Sequence, residues 1–285
     1  MNLLTNWIFW VVIYLISGVL FSQTFRRVNR NMKDAGLLTI LLELFTSMFA
    51  LLFILFFPIK FSINISTYLI LFIVMIIYAF TDRLNIEARY GLETSTFSML
   101  KQLSTVFIIL FGVIILKEKI VLKKFIGITL ILLGNVILSF KNGHFRVNKY
   151  FFMTILANFL FAIAMLINVN ISNEFNIGIY TFMTVFFPSI FIFIAGSYKL
   201  KDVKEEFKLY DKKKFLFASL MWCTMLVASV KAYEFGNLVV VACLLALTSI
   251  LNSIVELFVD RNYKSFLKKL FVAVLIIIGV LLVKI

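Results

Sequence analysis

The sequence predicts an all-α polytopic membrane protein, with ten transmembrane helices arranged as two inverted five-helix repeats over residues 1–145 and 146–285. Three observations carry that prediction. First, 62% of the residues are hydrophobic and 15% charged, with a mean hydropathy of +1.05, whereas soluble domains are about half apolar and about a quarter charged. Second, the apolar residues come in long runs rather than at helix or strand period, as they must where lipid wets every side. Third, the second half of the chain lies on the first at a single offset of about 145 residues, a self-similarity sought before any other pattern.

A spanning helix needs about 20 predominantly apolar residues. Charged and turn-forming breaks leave five segments at about 4–22, 36–58, 66–82, 96–116 and 122–140, and five more at about 149–169, 178–197, 214–231, 237–258 and 266–284. The opening MNLLTNWIFWVVIYLISGVLFS has neither the basic start nor the small-residue cleavage site of a secretory signal, so it reads as the first span. Pro58 ends the second segment, and Pro188 falls inside the seventh, where a missing N–H favours a kink. The third and eighth turn polar at their C-terminal ends. Loops are short, and the longest, SYKLKDVKEEFKLYDKKK, is too small to fold alone.

The offset lays LKKFIGITLILLGNVIL (122–138) on LKKLFVAVLIIIGVLLV (267–283) and EARYGLE (87–93) on AYEFGNL (232–238). It matches Gly91 to Gly236, Ser104 to Ser249 and Gly134 to Gly279. Five is an odd number, so the second copy enters the membrane from the opposite side. Two such inverted copies leave a cavity at their interface near the midplane, which rocking of one half against the other exposes to each face in turn.

The fourth and fifth segments, VFIILFGVIILKEKIVLKKFIGITLILLGNVIL, are joined by a short loop carrying Glu118, followed by Gly127 and Gly134. With the two five-helix halves, this resembles the drug/metabolite transporter superfamily, EamA type. The resemblance implies cytoplasmic termini. The chain departs from that pattern where LKQLST and LALTSI replace an early proline in the fourth and ninth helices, and where Tyr263 stands opposite Glu118. Lys and Arg concentrate in the loops after odd-numbered segments, which by the positive-inside rule puts both termini outside the cytoplasm.

Polar residues inside the spans are the candidate site. Ser98, Lys101, Gln102 and Thr105 recur at helical spacing on one face. A snorkelling lysine is the bland alternative, since Lys at a helix centre costs about 2.5–3.5 kcal/mol and less near an end. The polar stripe favours a cavity, where Lys101 would meet an anionic or zwitterionic substrate. Thr248, Ser249, Asn252, Ser253 and Glu256 repeat the pattern in the ninth segment. Glu43, with Thr39, Thr46 and Ser47 on its face, is either a counter-ion or proton site or a buried carboxylate that locks helices. The expected substrate-binding residues are therefore Lys101, Gln102, Glu43, Thr105, Ser249 and Asn252.

Other features read as structural. Asp82 and Arg83 form a local ion pair at the interface, or flank the cavity mouth with Glu87 if their helix runs on. Asn158 hydrogen-bonds between helices. Trp7, Trp10, Tyr14 and Ser17 form an aromatic stripe that reads as lipid-facing before pocket-lining. Gly127, Gly134 and Gly279 pack helices closely, and Glu118 makes a loop ion pair.

The formal net charge of +14 sits in short clusters that meet lipid headgroups, not in a domain able to hold nucleic acid. There is no G-x4-G-K-[ST], H-E-x-x-H or G-x-S-x-G, and Cys223, Cys243 and His144 are not spaced as metal ligands. The expectation is a multi-pass transporter of a bacterial plasma membrane, monomeric or homodimeric. It is not an enzyme, uses no cofactor or metal, and moves a small organic solute by alternating access with a possible coupling proton or ion. A flippase for a lipid-linked headgroup, and a structural protein without transport, are the alternatives.

Overall fold

The computed structural model describes residues 6–92, 103–116, 122–141, 144–145, 148–236 and 247–260, with single positions at 94, 97, 100, 101, 241, 244 and 245 and at intervals from 267 to 282. The chain is helical nearly throughout. In order run α1 (Trp7–Asn29), α2 (Ala35–Ala50, continued as 3-10 helix Leu51–Phe56), α3 (Ile65–Gly91), α4 (Leu103–Leu116), α5 (Leu122–Ser139), α6 (Lys149–Ile171), α7 (Ile177–Ala195), α8 (Leu200–Phe207), α9 (Lys212–Phe235) and α10 (Thr248–Asp260). Between α5 and α6, Phe140–Lys141 pairs antiparallel with His144–Phe145.

Six of these helices are long and apolar enough to cross a membrane: α1, α2 with its 3-10 extension, α3, α6, α7 and α9. Their outward faces carry Ile8, Ile16, Leu69, Phe80, Phe152 and Ile194, all exposed, as lipid contact requires. The expected fourth and ninth segments are present as α4 and α10, with their opening residues partly outside the described set. The tenth segment, Gln102, Glu118, Cys243 and Tyr263 also lie outside the described elements.

Three helices outrun the expected spans. α3 continues nine residues past Asp82 to Gly91, and α1 and α9 end at Asn29 and Phe235. The physical reason is clearest in α3. Asp82, Asn85, Ile86 and Arg89 recur at i, i+3, i+4 and i+7 and all face the interior, so polar residues mark a wet face there rather than the end of a helix. Asp82 and Arg83 accordingly part: Asp82 turns inward, Arg83 is exposed, and Glu87 pairs with Lys149 at 3.3 Å.

Helix starts are capped by short polar side chains. Asn6 accepts from the Ile8 N–H, Asp34 from Leu37, Asn176 from Gly178 and Ile179, and Asp211 from Lys213 and Lys214. Each cap stabilises by about 1 kcal/mol. α1 packs on α9 and α3 on α6, while α2 lies against α7, α3 against α7, and α9 against α2. α4 meets α6, and α10 meets α1. Gly178 makes the α2–α7 approach possible: a Cβ there would stand 2.6 Å from the Ile54 amide nitrogen and 2.8 Å from the Ala50 carbonyl.

Two apolar cores result. One gathers Trp10, Ala50, Met75, Ala162, Tyr180 and Val227, the other Phe21, Phe25, Leu38, Leu42, Phe215 and Trp222. The short helix α8 straps the second. Glu206, nearly fully buried, accepts from the Lys33 N–H at 3.0 Å and from the Tyr210 hydroxyl. The Tyr198 hydroxyl donates to Asp34 at 2.6 Å. Burial and that bond push the Tyr198 hydroxyl up to about 12, so it remains a donor.

Candidate functional site

Between the cores lies a cavity of about 190 Å³. α1, α3, the approach to α4, α6, α7, α9 and α10 all line it, while α2 contributes Leu42. Its walls are chiefly apolar and aromatic, and three charged side chains enter it: Asp82, Arg89 and Lys101. A concave, mostly apolar site with a few placed polar groups is the usual form of a small-molecule pocket.

Lys101 reaches this wall because the helix is interrupted beside it. Its N–H donates to the Phe97 carbonyl at 2.9 Å, but Lys101 itself is a turn, and α4 begins at Leu103. The Leu100 carbonyl receives the Asn158 side-chain amide of α6 at 2.7 Å. Ser104 then closes the break, donating its N–H at 3.1 Å and its hydroxyl at 2.6 Å to the Lys101 carbonyl. An interrupted helix at membrane depth is tolerated where neighbouring side chains satisfy the freed backbone.

The two cations rest on aromatic faces. Lys101 Nζ is 4.7 Å from the Phe161 ring centre, and Arg89 Cζ is 4.1 Å from Phe97 and 5.2 Å from Phe21. Such contacts are worth about 0.5–2 kcal/mol, most when water is excluded. Asp82 is the opposite charge acting on Lys101, and Arg89 the like one. Glu43 lies one residue beyond Leu42 and is 0% exposed. Asp82 is the charge that acts on its carboxyl, and neither oxygen has a hydrogen-bond partner among the described residues.

The remaining expected site residues divide. Ser249 lines the cavity. Asn252, one turn further along α10, is fully buried and accepts from Gln23 of α1 at 3.1 Å, tying two helices together. Thr105 falls within α4, and Ser104 is the hydroxyl of that turn in the lining. Gln102 is outside the described residues. Arg89, Tyr78, Phe161, Trp222 and Tyr233 also line the site, and the sequence reading did not single them out. For Arg89 a signal existed, its spacing of seven from Asp82. The aromatic residues gave none in a chain with 34 Phe. Among the described residues no group of three His, Cys, Asp or Glu could hold a metal ion.

The model of the EamA-like transporter family matches residues 5–140. This segment is similar to the EamA-like transporter family. That family is part of the drug/metabolite transporter superfamily of small-solute carriers, and the match together with six long apolar helices points to an integral, multi-pass membrane protein. The EamA-like segment supplies Tyr14, Asp82, Arg89 and Lys101 to the cavity, and the rest of the chain supplies the facing wall. A crystal structure of another protein superposes on 96% of this chain and 97% of its own at a TM-score of 0.67 and 12% identity, so the two share a fold. No curated protein matches the sequence.

Proposed function

We propose that this protein is a secondary transporter of a small organic solute in a bacterial plasma membrane, working by alternating access between two inverted five-helix repeats. The carrying observation is the charged cavity walled by helices from both halves of an EamA-like chain. The helix pattern supports the repeats. Shifted by 145 residues, α3 and α4 fall on 210–236 and 248–261, against observed α9 at 212–235 and α10 at 248–260. The same shift exchanges α1–α9 with α6–α3, and α3–α7 with α9–α2. Pairs that swap in this way are expected of a pseudo-twofold axis in the membrane plane.

Lys101 and Glu43 are the principal site residues in this reading, with Gln102, Thr105, Ser249 and Asn252 around them. Lys101 supplies positive charge at the wall, and Glu43 a counter-ion or proton site behind it. Energy for uphill movement comes from a gradient, the means available to a chain without a phosphate-loop motif.

The test is exchange in liposomes. Purified protein is reconstituted, the vesicles are loaded with a bacterial metabolite extract, and efflux is read by mass spectrometry. The expected result is release of a restricted set of solutes, reduced at least tenfold in Lys101→Ala and Glu43→Gln. Movement of labelled phospholipid without solute release would make the protein a flippase. No movement of either would leave a structural role.

A further inference from the structure

Building on the transporter reading, we propose that the cavity takes one organic monoanion with an aromatic or apolar body, together with one proton held between the carboxyls of Glu43 and Asp82. The argument begins with hydrogen-bond inventory. Ionised carboxylates only accept. Both Glu43 oxygens are buried without a hydrogen-bond partner among the described residues, and the carboxyl that acts on them is that of Asp82. The two can hydrogen-bond when one of them carries a proton, and without it two like charges stand in the same apolar interior.

Charge then selects the ligand. With one shared proton the carboxyl pair holds a single negative charge, set against Lys101 and Arg89, so the site is left with one surplus positive charge. A carboxylate of charge −1 neutralises it. A dianion would overshoot, and a cation would add to the excess. When the pair loses its proton, the site is already balanced and the anion has no charge to answer. Proton and anion therefore favour each other's binding, and by linkage each strengthens the other by the same factor.

The titratable and charged neighbours are consistent with this count. α3 brings Tyr78 and Arg89, α1 brings Tyr14, and α7 brings Tyr180. From α9, Tyr233 enters the lining and Cys223 is buried in the adjoining core. α8 lays Phe207 on Phe45 of α2 and brings Glu206, which is engaged by the Lys33 N–H and the Tyr210 hydroxyl. Phenols ionise only in alkali, and Lys231 of α9 is paired with Glu234 at 2.7 Å and adds no net charge, so among the described residues the four charges above set the balance. The body of the ligand follows from the walls: Phe21, Phe97 and Phe161 already seat the two cations, and Trp222 and Tyr233 complete an aromatic lining.

The experiment is calorimetric titration of the whole protein in nanodiscs with phenylacetate, its neutral analogue phenylacetamide and the cation phenethylammonium. Each titration is run from pH 5.5 to 8.5 in two buffers of different ionisation heat. Phenylacetate should bind at least tenfold more tightly than either analogue. Its affinity should fall toward the limit of tenfold per pH unit as pH rises, with proton uptake approaching one per anion. Glu43→Gln and Asp82→Asn should each abolish the uptake and flatten the pH profile, with melting curves checking that they fold. The proton count on the unaltered protein does not depend on either variant.

Phenylacetate binding without proton uptake overturns the shared-proton assignment. Equal or tighter binding of the amide or the ammonium overturns the monoanion assignment, and so does a failure of all three probes to bind. If the liposome assay still shows Lys101-dependent solute release, any of these failures rejects this inference alone and leaves the transporter reading standing.

Discussion

The Asn158 side-chain amide donates to the Leu100 carbonyl across 2.7 Å, from the middle of α6 to the break that precedes α4. This bond ties α6 to the backbone immediately before Lys101. Replacing Asn158 with Leu removes the donor while filling the space. Stability should drop by about 1 kcal/mol, as for interhelical hydrogen bonds in membranes, and solute release should fall with it. A melting curve and a liposome assay on the same preparation check both. Unchanged release would detach the break from function.

The α2–α7 crossing offers a steric prediction. At Gly178 an added methyl meets backbone atoms of Ile54 and Ala50 rather than a flexible side chain. Gly178→Ala should therefore separate the helices and destabilise by about 1–3 kcal/mol, the cost of overpacking. Thermal unfolding followed by tryptophan fluorescence measures it. A melting temperature equal to that of the parent would mean that the crossing is looser than its geometry.

Acid should loosen the loops that join the halves beyond that crossing. Glu174 accepts from the Ser62 and Thr67 hydroxyls, and these bonds, with Lys60 nearby, hold its carboxyl below the usual carboxylate range. A carboxyl depressed in the folded state stabilises at pH above its unfolded value, and the contribution disappears as pH falls through the folded value. The effect is thus confined to acid below about pH 4.5. Melting temperature should drop there in the parent and vary less in Glu174→Gln. Equal profiles would remove Glu174 from the clamp.

The α8 strap gives a fourth test. Glu206→Leu deprives the Lys33 N–H and the Tyr210 hydroxyl of their acceptor. A buried donor left unmatched costs about 1–3 kcal/mol. Trypsin should then cut sooner in the lysine-rich stretch around α8, whereas Glu206→Gln, which can still accept, should protect it. Identical digestion rates for all three proteins would contradict the role assigned to the carboxylate.

Much of the fold was legible because lipid imposes a single strong rule on every outward side chain. The starts of α2, α5, α6 and α7 lie within a residue of the expected segments. What misled was the same rule applied to α3. A hydropathy reading stops at Asp82, yet the helix continues because Asp82, Asn85 and Arg89 face inward. Lys101 was legible as a charge too deep to ignore. Its surroundings were not, since Asp82 and Phe161 come from other helices and only the packing brings them to one wall. Asn252 shows the converse: a polar residue at the right spacing that holds α10 to α1.

The extension of α3 also bears on how the protein feels the membrane potential. Asp82 and Arg89 are seven residues apart on one rigid helix, about 10 Å along its axis, and between them stand Arg83 and Glu87. Two positive and two negative groups therefore travel as one rod whenever α3 tilts or slides. Displacing an uncompensated elementary charge through the full field is worth about 2.3 kcal/mol per 100 mV, but here the opposing contributions largely cancel. Voltage has little purchase on this helix.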